Sequence, residues 1–571
     1  MTSETSGTSG NPKGCPEPDL ARARHAVEVA TRVVDGALAL LARADVEEDE
    51  VLAYDIAHTA AAVRTAQAAV VYGETGGAEA CLACAFVADM VAELSARTVG
   101  REAQWGTDPG WVVPVSEFFC EWRRPEALSA LAYTEGRRML DPDFELARET
   151  FHRFAAERVR PHAEHVHRTN GDIPEEIISG LAELGGFGLS VPESYGGFAT
   201  GSESDYLGMV IATEELSWGS LGIGGSLITR PEILCRALVD GGTEDQKREW
   251  LPKLASGELM AAVAVTEPDY GSDVANIQTA ATATEDGSGW VINGTKTWCT
   301  FAARADVLML LARTDPDRSK GHRGLSLFIV PKERANGKGF VLTQDGGHTD
   351  GPSSEHGSGP SSEQGSGPSS GPSNGRIEGR PIDTLGYRGM HSYELSFDNW
   401  FVPSELLIGG DAGVGRGFYL QMRGFENGRL QTAARALGVM QAAYEAARDY
   451  ASQRVVFGRP IADYQLTRVK LARMAILIQA TRQFAYDVSR LMAKNEGSLQ
   501  ASMVKAYVCR AAEWVTREAL QIHGGMGYAE EFAVSRYFVD ARVLSIFEGA
   551  DETLALKVIA RRLVEQSGAG A

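Results

Sequence analysis

The chain of 571 residues is acidic, with 76 acidic and 55 basic side chains and a formal net charge of −21. This balance argues against a surface that neutralises nucleic-acid phosphates or anionic lipids, and no apolar run reaches the roughly 18 residues of a membrane span. We therefore expect no nucleic-acid partner and no membrane partner. The length, with 44% hydrophobic and 23% charged residues, predicts a globular protein of several domains.

The N-terminus and the cysteines indicate a cytoplasmic protein. Residues 1–16 are rich in Ser, Thr and Gly and lack the apolar core of a secretory signal. Seven scattered cysteines are typical of reduced intracellular thiols. Cys81 and Cys84 form a CxxC motif in an Ala-rich segment without a second pair, so helix packing is favoured over redox use and no metal site is expected.

Two helical regions come first. After a disordered tail at 1–19, segments rich in Ala, Val and Leu predict an N-terminal helical extension over 20–140. A second helical domain is predicted over 141–260, with its first helix capped by Asp141 or Asp143. The helices expected in these two regions lie near 20–43, 51–72, 79–98, 141–162, 174–185, 203–218 and 244–256.

A β domain is predicted over 261–400, because short β-branched and apolar segments replace the helical pattern there. The expected strands are 261–265, 289–292, 296–300, 307–312, 325–330 and 393–397. Asn293-Gly294 lies between two of them and predicts a hairpin turn. The insertion at 346–374 repeats GPSSEHGS and GPSSEQGS with almost no apolar side chains, which predicts a disordered surface loop without a catalytic role.

A helical bundle is predicted over 401–571. One stripe of apolar residues recurs at spacings of three, four or seven, as in a bundle helix: Leu471, Met474, Ile478, Ala485, Val488 and Met492. Further helices are expected near 429–452, 499–522 and 552–566. The predicted fold class is therefore mainly α with a central β domain and an added helical unit in front.

Four motifs carry the functional signal, and their order and separation resemble the acyl-CoA dehydrogenase family from about residue 143 to 565. They are Val265-Thr-Glu-Pro-Asp-Tyr-Gly-Ser-Asp273, Trp298-Cys-Thr300, Arg454-Val-Val-Phe-Gly-Arg-Pro460 with Gln521-Ile-His-Gly-Gly-Met-Gly527, and Ile546-Phe-Glu-Gly-Ala-Asp-Glu552. The resemblance implies a helical domain, a β-barrel-like domain and a C-terminal four-helix bundle. It also implies FAD as cofactor, an acyl-CoA substrate, an electron-transfer flavoprotein as acceptor, and a homotetramer or homodimer.

The first two motifs match residues that contact the flavin ring in the family. The resemblance implies that Val265 and Thr266 bind the isoalloxazine, that Gly271 and Ser272 help to hold the pyrophosphate of FAD and the CoA, and that Trp298 and Thr300 lie beside the ring near N5. Fixed donors at the pyrimidine edge favour a ring that becomes negative on reduction. Without the resemblance, the first motif would be interpreted as a polar turn after a strand and Trp298 as a tryptophan of the core.

The third motif matches the residues that hold the ADP half of FAD across a subunit interface. The matching positions are Arg454, Phe457, Gln465, Gln521, Gly524 and Gly525. Arginine suits a diphosphate because it is always charged and bonds in a fork, and consecutive glycines let backbone amides approach phosphate closely. Taken alone, the glycine cluster could be an ordinary turn.

The fourth motif matches the family's catalytic base. The resemblance implies that Glu548 removes the α-proton of the thioester while a hydride moves to flavin N5, and that Gly549 lets the backbone pass close to substrate and flavin. A family variant places the base on an earlier helix, but that position is Gly428, which cannot accept a proton. Ala550 and Glu552 depart from the usual Thr and Gln, so FAD contacts at 550–552 are in doubt.

Two arginines are candidates for the substrate site. Arg429 matches a family arginine near the acyl-CoA, and a bundle-surface salt bridge is its alternative. Arg230 aligns with the helix that lines the acyl pocket and could pair with a substrate carboxylate; it could equally face solvent or a neighbouring helix. The arginine typical of the glutaryl-CoA subgroup is replaced by Trp218.

The long N-terminal extension resembles the (2S)-methylsuccinyl-CoA dehydrogenase subgroup, whose product is mesaconyl-CoA in the ethylmalonyl-CoA pathway. We therefore expect dehydrogenation of a short branched or dicarboxylic acyl-CoA. The alternatives are another short- or branched-chain acyl-CoA dehydrogenase, an acyl-CoA oxidase, and a flavoprotein relative without dehydrogenase activity. The last would act in DNA protection or assembly, and the acidic net charge and the retained Glu548 count against its DNA version.

Overall fold

The computed structural model of the protein describes residues 11–44, 46–202, 204–344 and 375–568. The predicted disordered insertion and the first ten residues of the predicted tail lie outside these ranges. The described residues form two compact units. One comprises the chain up to Glu232 with Thr384–Met390 and the part from Gly424 onward, and the other comprises the described parts of Ile233–Asp383 and His391–Arg423.

Helices dominate the chain outside the β region. In order they are α1 (Leu20–Leu41), α2 (Glu50–Gly73), α3 (Gly77–Thr98), α4 (Ser116–Trp122), α5 (Pro125–Ala130), α6 (Pro142–Phe154), α7 (Arg160–Thr169), α8 (Glu175–Glu183), α9 (Ser204–Gly219), α10 (Thr229–Gly241), α11 (Glu244–Ala255), α12 (Gly417–Gln453), α13 (Gln465–Ala493), α14 (Ser498–His523), α15 (Ala533–Leu544), α16 (Asp551–Thr553) and α17 (Arg561–Gly568). None of these described helices is both long enough and apolar enough to cross a bilayer.

The predicted N-terminal extension is helical and packs on the C-terminal helices of the same unit. Helix α2 begins at an N-cap, where the Asp49 carboxylate accepts a hydrogen bond from the backbone N–H of Leu52. This helix contacts α1, α3, α13 and α14. These neighbours bury residues on nearly all of its sides, which accounts for its mainly apolar sequence. Cys81 and Cys84 are buried free thiols within α3.

The predicted apolar stripe of α13 is confirmed. All six of its residues are buried: Leu471, Met474, Ile478, Ala485, Val488 and Met492. Helix α13 packs against α14, against α9 of the second helical region, and against α2, α3 and α5 of the extension. The stripe predicted from one helix therefore serves two sets of neighbours.

The second unit is built on one curled sheet. Its strands are β1 (Ala261–Ala264), β2 (Ala280–Ala283), β3 (Gly289–Thr300), β4 (Val307–Arg313), β5 (Leu325–Pro331), β6 (Phe340–Gln344), β7 (Gly375–Ile382) and β8 (Ser392–Pro403). The strand order is β1-β4-β2-β3-β8-β7-β6, with β5 also paired to β4. β1 and β2 pair parallel to β4, and the remaining pairs are antiparallel.

The hairpin predicted at Asn293-Gly294 is wrong. The chain runs straight through these residues in β3, and the register with β8 shifts between Ile292 and Gly294, which marks a β-bulge. Gly294 has φ +144°, and a Cβ there would come within 2.7 Å of the Thr279 Cα. The Asn-Gly pair is therefore needed for a close backbone crossing inside a long strand and does not form a two-residue turn.

Candidate active site

The loop that carries Glu548 is held in an unusual backbone conformation. It joins α15 to α16, and both Glu548 (φ +54°) and Gly549 (φ +98°) lie in the left-handed region. A non-glycine residue there costs about 1–2 kcal/mol, so the surrounding contacts must hold it in place. The buried ammonium of Lys505 on α14 donates to the Gly549 carbonyl at 2.6 Å, and burial lowers the pKa of Lys505. The turn thus presents the Glu548 side chain in one fixed direction.

The Glu548 carboxylate lies directly against α12 at Gly428. A Cβ added to Gly428 would come within 2.8 Å of Glu548 Oε2, so only glycine leaves room for the carboxylate. That oxygen is buried and has no hydrogen-bond partner among the described residues. The helix position of the base in the family variant and the loop position predicted for it here therefore lie directly against each other. An oxygen without a described partner at this position is free to contact a bound molecule.

A fully buried arginine, Arg435, lies near this carboxylate and was not predicted from the sequence. Its guanidinium donates to Thr432 Oγ1 at 3.2 Å and to Thr229 Oγ1, and its Cζ lies 5.3 Å from the centre of the Phe547 ring. Nε has no hydrogen-bond partner, and Arg435 forms no ion pair in the described part of the chain. Burial lowers the pKa of Arg435, although Tyr387 and Glu548 oppose that shift.

The two arginines predicted from the sequence are both in this unit. Arg230 is only 5% exposed, so it does not face solvent; its Nε donates to the Ser226 carbonyl at 3.4 Å. Arg429 donates to Ser502 Oγ at 3.1 Å and forms no ion pair with any described carboxylate, so the surface salt bridge considered for it is absent. Burial lowers the pKa of Arg429, and nearby Glu426 and Glu548 oppose this shift.

The predicted flavin-ring residues of the second unit are near one another at the end of β1. The Thr266 carbonyl accepts from the Thr297 amide at 2.8 Å, and Gly271 lies beside the Thr266 methyl group. Trp298 follows Thr297 in the chain, has φ +57°, and is 55% exposed despite its size. An exposed indole beside fixed backbone groups suits a flat aromatic ring system.

A buried ion pair supports this edge. Lys296 Nζ donates to the Val265 carbonyl and to Glu267 Oε1, both at 2.9 Å, and the Glu267 carboxylate also accepts from the amides of Gln278 and Thr279. Burial lowers the pKa of Lys296 to about 8. Nearby, Thr300 Oγ1 lies 3.0 Å from Ser392 Oγ, and Gly271 and Ser272 are exposed.

The predicted ADP-site residues form an exposed surface of the first unit. Phe457, at the tip of a small hairpin, has φ +51° and is 94% exposed. The Arg454 amide donates to the Tyr450 carbonyl, and the Tyr450 ring stacks on His523, which precedes the glycine turn, at 4.2 Å. Tyr450 therefore brings the Arg454 hairpin and the glycine turn together. A Cβ at Gly524 or Gly525 would meet no described atom within 4 Å. The exposed Gln521 and Gln465 complete the set; Gln465 Nε2 donates to Glu126 at 3.5 Å.

Three models of the acyl-CoA dehydrogenase family match the chain, in order. The N-terminal domain model matches residues 141–258, the middle domain model 262–354 and the C-terminal domain model 415–564. The chain is 43% identical over 435 residues to (2S)-methylsuccinyl-CoA dehydrogenase of Cereibacter sphaeroides, covering 76% of this chain and 71% of that protein. It is 34% identical over 426 residues to mitochondrial isovaleryl-CoA dehydrogenase of Solanum tuberosum, covering 73% of this chain and 90% of the relative.

Solved structures show the same fold. The glutaryl-coenzyme A dehydrogenase–glutaryl-CoA complex has a TM-score of 0.63 at 28% identity and covers 76% of this chain and 96% of that chain. Butyryl-CoA dehydrogenase from Megasphaera elsdenii has a TM-score of 0.62 at 29% identity and covers 74% and 98%. A glutaryl-CoA dehydrogenase from Mycobacterium smegmatis in complex with FADH2 has a TM-score of 0.61 at 25% identity and covers 75% and 95%.

The fold and the site therefore define an α-helical flavoenzyme with a central β domain. The chain belongs to the acyl-CoA dehydrogenase family, and it is an FAD-dependent oxidoreductase. The residues present suit this cofactor: an exposed tryptophan beside fixed backbone groups in one unit, and an arginine with open glycine backbone in the other. The family resemblance stated from the motifs is confirmed.

Proposed function

We propose that this enzyme oxidises (2S)-methylsuccinyl-CoA to mesaconyl-CoA. The observation that carries the proposal is the buried guanidinium of Arg435, which forms no ion pair with a described carboxylate and lies beside the loop of the base. A buried charge without an ion-pair partner in direct contact is costly, and a carboxylate on the substrate would supply that partner. The 43% identity to a protein named (2S)-methylsuccinyl-CoA dehydrogenase supports the same substrate.

The spacing along α12 favours a short acyl group. Thr432 and Arg435 follow Gly428 by four and seven residues, so the three share one helix face. The Arg435 guanidinium leans back to Thr432, about one helical turn or ~6 Å from Gly428 along the axis. A reacting carbon about 3 Å from the base and a charge-assisted bond of about 2.8 Å to the guanidinium leave room for few carbons between them.

Each residue then has a defined task. Glu548 takes the proton from the α-carbon at Oε2, the oxygen that has no described partner. The backbone N–H of Glu548 donates to no described residue, so it is available to polarise the thioester carbonyl. Lys505 holds the loop through the Gly549 carbonyl. Bound FAD supplies the acceptor for the β-hydride.

The cofactor contacts follow from the same proposal. Val265, Thr266, Trp298 and Thr300 bind the ring, with Gly271 and Ser272 on the pyrophosphate and the CoA. Arg454, Phe457, Gln465, Gln521, Gly524 and Gly525 hold the ADP half of FAD, bound in a second copy of the chain. The exposure of Phe457 and the open glycine turn support an occupant on this surface. A homodimer or homotetramer, an electron-transfer flavoprotein as acceptor and a cytoplasmic location complete the proposal.

Anaerobic flavin bleaching tests the substrate. The purified holoenzyme is mixed with methylsuccinyl-, butyryl-, isobutyryl- and glutaryl-CoA, and the loss of the oxidised-flavin band at about 450 nm is followed. Fastest bleaching by (2S)-methylsuccinyl-CoA supports the proposal, and faster bleaching by any of the other three overturns it. Admission of air after bleaching separates a dehydrogenase from an oxidase, because only an oxidase forms peroxide at the turnover rate.

A further inference from the structure

The N-terminal extension contacts the loop of the catalytic base through one carboxylate. Tyr54 on α2 donates its hydroxyl to Asp551 Oδ2 at 2.6 Å. His58, one helical turn further on and 3% exposed, has its Nε2 3.2 Å from the same oxygen but is not aligned for a hydrogen bond. The Tyr54 and His58 rings are themselves in edge contact at 4.5 Å. A helix almost 500 residues away in sequence therefore reaches the residue three positions after Glu548.

Asp551 lies where the loop closes. Its backbone N–H donates to the Ser545 carbonyl at 3.1 Å, which joins the two ends of the segment that contains Glu548. Between these ends, two successive residues have positive φ, a conformation that persists only where neighbours enforce it. Lys505 restrains the loop from α14 at Gly549, and Tyr54 restrains it from the extension at Asp551.

The charges make the second restraint stable at neutral pH. Burial alone would raise the pKa of Asp551, but His58 and Tyr54 outweigh it and the pKa is lowered. Burial and the bond to Asp551 raise the pKa of Tyr54 to about 12, so its hydroxyl stays protonated and donates. Burial lowers the pKa of His58, although Asp551 opposes that shift. A charge-assisted bond from a neutral phenol to a carboxylate is stronger than a neutral one.

We propose that Tyr54, with His58 packed beside it, is a positioning residue for catalysis, acting on Glu548 through Asp551. The inference rests on the proposed role of Glu548 as the base. On this view the extension completes the active site, because a loop without the restraint on the Asp551 side chain would let the carboxylate move. A displacement of about 1 Å is enough to cost about 100-fold in rate.

Tyr54→Phe tests the proposal, with Tyr72→Phe as the matched control. Tyr72 lies on the same helix, is buried, and donates its hydroxyl to the Arg137 carbonyl at 2.8 Å, so both variants lose one tyrosine hydrogen bond of the extension. Anaerobic stopped-flow reduction by (2S)-methylsuccinyl-CoA gives a rate constant and an amplitude. We expect Tyr54→Phe to lower the rate constant about 10-fold at full amplitude and Tyr72→Phe to leave it unchanged. An unchanged rate constant with reduced amplitude for Tyr54→Phe would mean a structural role only and overturn the proposal.

A second readout does not depend on activity. Hydrogen–deuterium exchange of the peptide covering 546–553 should rise in Tyr54→Phe and not in Tyr72→Phe; equal exchange in both contradicts the proposal.

Asp551→Asn should slow flavin reduction as well. The double variant with Tyr54→Phe and Asp551→Asn should be no slower than the slower single variant, because the two substitutions remove the same contact. Additive losses would refute action through Asp551. If no thioester bleaches the wild type, the proposed function fails, whereas normal bleaching by Tyr54→Phe refutes this inference alone.

Discussion

Replacing Arg435 by Gln removes the buried guanidinium and keeps a side chain that can still bond to Thr432 or Thr229. If the guanidinium binds the substrate carboxylate, its loss leaves that carboxylate buried without a counter-charge. Truncating one partner of a buried charge pair costs about 2–5 kcal/mol. At 1.4 kcal/mol for each factor of ten, kcat/KM for (2S)-methylsuccinyl-CoA should fall by about 30-fold to several thousand-fold.

The assay compares, in the same variant, two thioesters that differ only in their terminal group. In 2-methylbutyryl-CoA a methyl group replaces the carboxylate of methylsuccinyl-CoA, so the wild type must bury Arg435 against an apolar group. Arg435→Gln should therefore oxidise 2-methylbutyryl-CoA as fast as the wild type or faster, while its activity with methylsuccinyl-CoA falls. A parallel loss with both thioesters would show that Arg435 supports the fold of the site and does not read the carboxylate, which would refute the reasoning.

Three further predictions follow from single positions. Gly428→Ala should strengthen α12 slightly but displace the Glu548 carboxylate, since the new Cβ would lie 2.8 Å from Oε2. We expect flavin reduction to slow by about 10–100-fold while the Tm stays unchanged or rises. An unchanged rate of flavin reduction would contradict the contact between Gly428 and Glu548. Gly525→Ala should leave the Tm of the apoprotein unchanged but weaken FAD binding, measured by fluorescence titration against the control Gly208→Ala; equal affinities would exclude close backbone packing on the cofactor. Burial raises the pKa of Asp540 from 3.8 to about 6, so the folded state holds this proton more tightly and the wild type loses stability as pH rises from about 4 to 6. Asp540→Asn should lack that loss. Its free energy of unfolding should therefore rise relative to that of the wild type over this interval, by up to about 3 kcal/mol, and its Tm should rise with it. A Tm difference between the two proteins that is independent of pH would refute the prediction.

The long helices could be predicted from the sequence because their apolar spacing is local. The predicted helices at 20–43, 51–72 and 79–98 agree closely with α1, α2 and α3. Other elements were missed because their signals are weak: α10 and α15 were not predicted, and neither were β2, β6 and β7. The short strands β6 and β7 flank the insertion and owe their pairing to each other and to β8. Such pairing is a tertiary effect that local propensity does not report.

The motif residues of the proposed site are recognised by their order and spacing, but the residues proposed to act together with Glu548 are not. Arg435 is the one charged residue in the apolar run from Ala433 to Leu437, and this pattern indicates a buried charge. Tyr54 and His58 carry no motif, and their contact with Asp551 joins segments almost 500 residues apart. Only the folded structure brings them together.

The most direct test of the account is the anaerobic reduction of Glu548→Gln. The substitution keeps the size of the side chain and removes its ability to take the α-proton, so the variant should bind FAD with an unaltered oxidised spectrum. General-base catalysis contributes typically about 100- to 10,000-fold, and we predict that bleaching by (2S)-methylsuccinyl-CoA slows by at least about 100-fold. Bleaching of Glu548→Gln at the wild-type rate would contradict the assignment of Glu548 as the base.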